Sequence, residues 1–374
     1  MIYFDNAATG GFKPRATTDT ATSVLRFLSA NPGRSGHRLS LTGAEMVFNT
    51  RSILSEYFSA TPERVIFTKN CTEALNVAIF GSLKEGGHVI TTTFEHNSVL
   101  RPLFALKNAG LIELDIVEPC QNDDITAKIE EKIKDNTYLI VATALSNVTG
   151  QSLPIAEIGA LAKKHGALFI VDGAQGGGHI FLSIKDQSIS ALALAGHKGL
   201  YGIMGSGVLI LNDEVDLTPL IYGGTGNESF NLNQPSCYPE RLESGTLNLP
   251  AIASLYEGVK YIKNNHENFS EHLKNTTKFL IEGLKNVSGI KIYSPINSAG
   301  IVSFSLSNLP SAEVADILSS EYDIAVRAGL HCAPLAHKHL NTEQSGLVRA
   351  SLAVQNSSRE IEFFLQAINE ISRR

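Results

Sequence analysis

The sequence predicts an α/β protein in which a large domain on a doubly wound, mostly parallel sheet precedes a smaller α+β domain. Three observations lead there. Up to residue 250, short β-branched runs alternate with amphipathic helical stretches. Those runs are mostly apolar along their length, as strands are when helices cover both faces of a sheet. After about Pro250 the alternation gives way to two long helical patterns and a few shorter strands.

Taken in order, strands are expected at Arg64–Thr68, His88–Thr92, Ile112–Val117, Tyr138–Ala144, Ala167–Val171, Ile189–Ala193 and Gly207–Leu211. Helices are expected in the gaps, for example Thr72–Leu83 and Pro154–His165. The second part reads as helices Ala251–Asn265 and Phe269–Asn286, then strands Ile290–Tyr293 and Gly300–Leu306. A helix Ala312–Ser320, a strand Ile324–Ala328 and a closing helix Ser358–Ser372 complete it. The expected division is therefore 1–250 and 251–374, with residues 1–15 packing on the small domain. In open sheets of this kind ligands bind at the carboxyl ends of the strands.

The totals set bounds on function. A chain of 374 residues exceeds a typical single domain and can bury a substantial core. A net charge of -6 with no long basic run argues against nucleic acid as a partner. Residues 1–5 lack the charged and apolar regions of a signal peptide, and no stretch is apolar enough to span a bilayer. Cys71, Cys120, Cys237 and Cys332 form no CxxC pair, which argues against a zinc site or a disulfide framework. The expected location is the cytoplasm.

Five motifs of the large domain fall at expected strand ends. Asp172, in Val171-Asp172-Gly173-Ala174-Gln175, is an ordinary turn residue or a carboxylate that keeps a pyridine nitrogen protonated. Lys198, in Ala195-Gly196-His197-Lys198-Gly199, sits among glycines that let backbone approach a ligand. Such a lysine can form a Schiff base with an aldehyde cofactor, and an acid about 25 residues upstream strengthens that reading. Cys71 and Thr72, in Asn70-Cys71-Thr72-Glu73, open a helix whose N-terminus is a capped end or a phosphate site. His96, in Glu95-His96-Asn97, is either a satisfied polar residue or a ring that stacks on a cofactor and moves protons. Asn147, in Ser146-Asn147-Val148-Thr149-Gly150, could bond cofactor or substrate.

Two motifs mark the small domain. Cys332, in Arg327-Ala328-Gly329-Leu330-His331-Cys332-Ala333-Pro334, lies on a Gly/Pro loop, where a thiolate can act as a nucleophile. Arg349, in Val348-Arg349-Ala350-Ser351, interrupts an apolar run and could hold a carboxylate through two parallel hydrogen bonds.

These motifs in this order resemble the cysteine desulfurases of the class V aminotransferase group, enzymes of the type I pyridoxal phosphate (PLP) transferase fold. The resemblance runs from Asp5-Asn6-Ala7-Ala8 to the closing helix, through CTEALN, EHNSV, SNVTG, DGAQ, GHKG, ESGTLN, RAGLHCAP and VRASL. The short RAGLHC loop is similar to that of the selenocysteine lyase-like group. The resemblance implies PLP on Lys198, with Asp172 on the pyridine nitrogen, Gln175 on the phenolic oxygen and His96 stacked on the ring. It implies phosphate binding by Thr72, His197 and the Cys71 amide. Asn147 and Arg349 would hold the substrate carboxylate, and Cys332 would attack the substrate sulfur. Thr246, in Glu243-Ser244-Gly245-Thr246, matches a segment that completes the phosphate site of a neighbouring subunit, with Thr225 as a weaker candidate; a homodimer is implied. Ala195 stands where Ser or Thr is common and Cys71 where Thr is common, so a thinner phosphate shell is expected. The loop Asn31–Arg38 reads as an active-site loop near the dimer interface.

The implied reaction removes sulfur from L-cysteine, giving L-alanine and a persulfide on Cys332 for a protein or small-thiol acceptor. Selenocysteine lyase or cysteine-sulfinate desulfinase activity is the alternative on the same scaffold. A class V aminotransferase proper would have no Cys at this loop.

Overall fold

Side chains along a strand point alternately to opposite faces, so a strand buried on both sides must be apolar throughout. Six of the seven strands of the main sheet are buried nearly throughout; the seventh, the edge strand Ile112–Val117, exposes Glu113. The fold is a computed structural model that describes residues 1–119, 124–307 and 309–374; Cys120 lies outside the described residues.

The chain begins with β1 (Ile2–Tyr3), α1 (Arg15–Phe27), α2 (Arg38–Tyr57), β2 (Val65–Thr68) and α3 (Cys71–Gly81). It continues through β3 (Gly87–Thr92), α4 (Asn97–Asn108), β4 (Ile112–Val117), α5 (Ile125–Lys132), β5 (Thr137–Thr143) and α6 (Ile155–Lys164). Then come β6 (Leu168–Asp172), β7 (Ala191–Ala195), β8 (Gly207–Leu211), α7 (Leu249–Lys263) and α8 (His266–Lys285). The last elements are β9 (Ile290–Ile292), β10 (Ile301–Leu306), α9 (Ser311–Tyr322), β11 (Ile324–Ala325), β12 (Arg327–Gly329), α10 (Pro334–His339), β13 (Leu347–Ser351) and α11 (Ser358–Ile371).

The large sheet has the order β2-β8-β7-β6-β5-β3-β4. All its pairs are parallel except those of β8, which runs antiparallel to β2 and β7. Ile140, Ala142, Phe169, Val171 and Leu192 pack on one face with residues of α2, α6 and α7. Leu139, Val141, Ile170, Ala191 and Ala193 pack on the other with residues of α3 and α4. This is the doubly wound arrangement expected from the sequence. The expected strand Ile189–Ala193 begins two residues later, at Ala191, and runs to Ala195; Asp172 is the last residue of β6.

The smaller sheet, β12-β13-β10-β9, is antiparallel. The expected strand Ile324–Ala328 is two strands, since β11 pairs with β1 and β12 with β13. Phe4, at no measurable exposure, stacks edge-on against Phe364 of α11, 5.5 Å between centroids. Burying such a ring contributes about 2–3 kcal/mol and fastens the N-terminus to the small-domain core. The apolar residues of α7 (Leu249, Ile252, Leu255, Val259, Ile262) belong to the cluster under the large sheet, whereas Leu273 of α8 joins the small-domain cluster. We therefore propose that the division falls between α7 and α8 rather than at residue 250. Among the described residues, no helix is long and apolar enough to cross a membrane.

Candidate active site

The carboxyl ends of β5, β6 and β7 and the start of α3 converge on one region. Asp172 closes β6 and is 2% exposed. Its Oδ1 accepts from the Ala174 amide at 2.9 Å and from the Cys71 thiol at 3.6 Å. Burial and the Asp172 carboxylate push the Cys71 thiol well above its usual range, so it stays protonated and donates. The Cys71 side chain thus faces Asp172, while its amide opens α3. Asn70 caps that helix by accepting the Glu73 amide at 2.9 Å, leaving the Cys71 and Thr72 amides in the first turn for an anion.

Lys198 follows β7 in a turn that only glycine can begin. A Cβ at Gly196 would collide with the Ser206 hydroxyl. Burial pulls the Lys198 ammonium below its ordinary range; Asp172 opposes this, and Arg349 and Arg327 reinforce it. Lys198 lines a cleft with Asn6, Ala7, Gln175 and Tyr201. The Gln175 amide donates to the Ala7 carbonyl at 2.8 Å. The His197 ring lies 3.0 Å from the Thr9 hydroxyl, and burial, with Lys198 and Lys13 nearby, lowers it to about 4. Its carbonyl accepts from Lys13 Nζ at 2.7 Å.

His96 caps α4. Its Nδ1 accepts the Ser98 amide at 3.0 Å, and its Nε2 has no hydrogen-bond partner among the described residues. Burial holds the imidazole below its usual range, with Asp172 working against that and Lys198 with it. Next to it, Glu95 is fully buried. One oxygen accepts from the Thr92 hydroxyl at 2.6 Å and the Thr143 amide at 2.9 Å; the other has no partner among the described residues. Burial raises this carboxyl to about 8, so it is protonated near neutrality.

The second wall comes from the small domain. Arg349 on β13 is 1% exposed. It donates to Asp5 Oδ1 at 3.0 Å and to the Asn147 carbonyl at 2.9 Å, and its Nε has no partner among the described residues. The Asn147 amide donates to the His331 carbonyl at 2.8 Å. The resemblance pairs Asn147 with Arg349 on a substrate; here the Asn147 side chain also holds the Cys loop. Cys332 is exposed and shares a second cleft with Thr72, His96 and Arg101. Arg327 Nη2 lies 3.7 Å from its sulfur. The loop is strained: φ is +96° at Gly329, +49° at His331 and +57° at Cys332. Each non-glycine residue there costs about 1 kcal/mol, so other contacts must hold it. One is the Asn97 amide, which donates to the Cys332 carbonyl at 2.7 Å.

Thr246 and Thr225 share neither cleft. Thr246 lines a surface with Lys69 and Glu73, and Thr225 one with Arg34 and Glu240. Arg34 of the loop Asn31–Arg38 donates to the Gly224 and Gly245 carbonyls, both at 3.0 Å. Sequence reasoning assigned no role to Arg327, Asp5 or Glu95. Each stands inside a quoted motif, so the signal was a charged residue within a motif.

The aminotransferase class-V family model matches residues 2–364. A probable cysteine desulfurase of Pyrococcus abyssi is 35% identical, over 99% of this chain and 94% of the relative. Another, from Methanothermobacter thermautotrophicus, is 30% identical over 99% and 94%. The apo structure of cysteine desulfurase from Thermococcus onnurineus superposes with a TM-score of 0.93 at 33% identity, over 100% of this chain and 94% of that one. A cysteine desulfurase structure from Escherichia coli, 23% identical with a TM-score of 0.89 over 98% and 94%, shares the fold. Enzymes of this family are generally PLP-dependent. Full-length matches at this identity, on a fold with these strand-end motifs, show that the chain belongs to the class V aminotransferase family, among the cysteine desulfurases.

Proposed function

We propose that the enzyme takes sulfur from L-cysteine, releases L-alanine and keeps the sulfur on Cys332 as a persulfide until an acceptor removes it. The observation that carries this reading is Cys332 itself: an exposed thiol facing a guanidinium at 3.7 Å, in a cleft shared with His96 and Thr72. The nucleophilic form of a cysteine is its thiolate.

The donor set fits PLP. Asp172 is a buried carboxylate whose hydrogen bonds from Ala174 and Cys71 both fall on Oδ1, which leaves Oδ2 for a pyridinium. Lys198 is an amine whose proton desolvation makes easier to lose. Thr72, the Cys71 amide and His197 would receive the phosphate, Gln175 the phenolic oxygen, and His96 the ring face. Bound PLP supplies an electron sink joined to the substrate α-carbon. Lys198 Nζ moves the proton at that carbon. Arg349 has an unpartnered Nε, the donor a substrate carboxylate needs, and Asn147 lies against the same guanidinium. Cys332 Sγ attacks the substrate sulfur. The new S–S bond forms as the C–S bond breaks, and the electron pair stays on the carbon that becomes the alanine methyl group.

The enzyme acts as a homodimer in which Thr246, and less directly Thr225, complete the partner's phosphate site. Phe230 and Leu232 are fully exposed and Met204 and Tyr222 largely so, an apolar surface that a second copy would cover. Cys71, Cys237 and Cys332 are free thiols, in keeping with a reducing cytoplasm. The test is Cys332→Ala. Alanine and sulfide formation from L-cysteine should fall about a hundredfold or more. An unchanged rate would remove Cys332 from the reaction. Assaying the same variant on selenocysteine and cysteine sulfinate reports whether either depends less on the thiol.

A further inference from the structure

Behind the strained Cys332 loop runs a chain of buried polar groups that no step above uses. His331 is 3% exposed and His337 of α10 is fully buried. Their rings stack at 5.6 Å, with His331 Nδ1 3.4 Å from His337 Nε2. His337 Nδ1 lies 2.9 Å from the Thr342 hydroxyl, and His331 Nε2 lies 3.4 Å from the Arg327 carbonyl.

The far end fixes the direction of this chain. A carbonyl only accepts, so His331 Nε2 carries the hydrogen and its Nδ1 must accept. His337 Nε2 therefore donates and its Nδ1 accepts, so the Thr342 hydroxyl, 2.9 Å from that nitrogen and 3.4 Å from the His337 carbonyl, turns its one hydrogen to the nearer nitrogen. Each ring is neutral, with one nitrogen donating and one accepting, and every group has a partner. Burial keeps both imidazoles uncharged, His331 down to about 2. The chain ends on the backbone of Arg327, whose guanidinium faces the Cys332 sulfur. It also grips His331, the neighbour of Cys332.

We propose that His337 and Thr342, acting through His331, are positioning residues that hold the Cys332 sulfur and the Arg327 guanidinium in register. The chain replaces regular secondary structure as the support for a loop that α10 and β12 leave unpaired. The effect on turnover rests on the reading of Cys332 as the nucleophile; the effect on the reactivity of the thiol does not.

The holoenzyme carrying His337→Phe, which keeps a ring but ends the chain, should lose about tenfold in kcat with KM for L-cysteine within about twofold. Alkylation of Cys332 by iodoacetamide at one fixed pH, read by peptide mapping, should slow by about threefold or more. Thr342→Val, nearly isosteric, should shift both in the same direction by less, and it serves if the first variant folds poorly. His337→Gln can still donate to His331 and should restore most of the alkylation rate. Alkylation within about twofold of wild type in both His337→Phe and Thr342→Val would overturn the proposal, as would a raised KM at unchanged kcat. Slowed alkylation alongside a fully active Cys332→Ala would sink the nucleophile reading and leave the positioning role standing.

Discussion

The two sides of the site are built by opposite means. On the large-sheet wall, Asp172 is the last residue of a strand, Cys71 and Thr72 open a helix, and Lys198 lies three residues past the end of a strand. Backbone ladders hold these residues, and neighbouring side chains only adjust their charge. On the small-domain wall, Cys332 sits on a loop with positive φ at three of four successive residues from Gly329. That loop is held by single contacts from elsewhere: Asn97, Asn147 and His337, the last braced by Thr342. The lesson is that substitution on the first wall should change chemistry while geometry survives. Substitution on the second should move the nucleophile.

The largest effect tests the first wall. Lys198→Ala should reduce turnover by about four orders of magnitude or more while the apoprotein unfolds at an unchanged denaturant midpoint. A large loss of stability would mean that Lys198 supports the fold. Asn147→Ala probes the second wall, where it removes the bond to the His331 carbonyl. Turnover should fall about tenfold to a hundredfold, and Cys332 alkylation should change as well. A rise in KM with normal Cys332 reactivity would limit Asn147 to the substrate carboxylate.

A smaller effect concerns Glu95, which clamps β3 to β5 beneath the first wall. Its carboxyl is raised to about 8 from 4.5, so the folded state holds its proton more tightly than the unfolded chain. The stability it contributes is present below pH 4.5 and is lost as pH rises toward 8. Glu95→Gln, which imitates the protonated form, should gain on wild type by a few kcal/mol between pH 5 and pH 8.5 in urea unfolding. Equal pH dependence of the two proteins would contradict a buried neutral acid. The smallest effect is Ala195→Ser, which restores a hydroxyl near the proposed phosphate shell. PLP affinity should rise about fivefold, the worth of one added hydrogen bond of about 1 kcal/mol.

The same contrast explains what could be read in the sequence. Asp172, Lys198, His96 and Thr72 were legible because each follows an apolar run and local pattern fixes where a strand ends. Helix α10 was not: Ala333 and Pro334 read as loop, although Pro suits the first position of a helix. The partners of Cys332 were hidden because Asn147 lies 184 residues before His331 and meets it only once both domains have folded. The Asp5–Arg349 pair is likewise a tertiary product, its members 344 positions apart in the sequence. The allegiance of α7 was masked because its apolar residues would suit either domain core, and packing against α1 and α2 decides it.

The central claim is that both walls serve one sulfur transfer ending on Cys332. The most direct measurement is the mass of the Cys332 peptide after mixing the holoenzyme with L-cysteine, no acceptor present, and quenching with an alkylating agent. The account predicts a peptide one sulfur atom heavier than the directly alkylated one, formed together with an equal amount of L-alanine. Alanine production with the added sulfur on another cysteine, or on none, would contradict it.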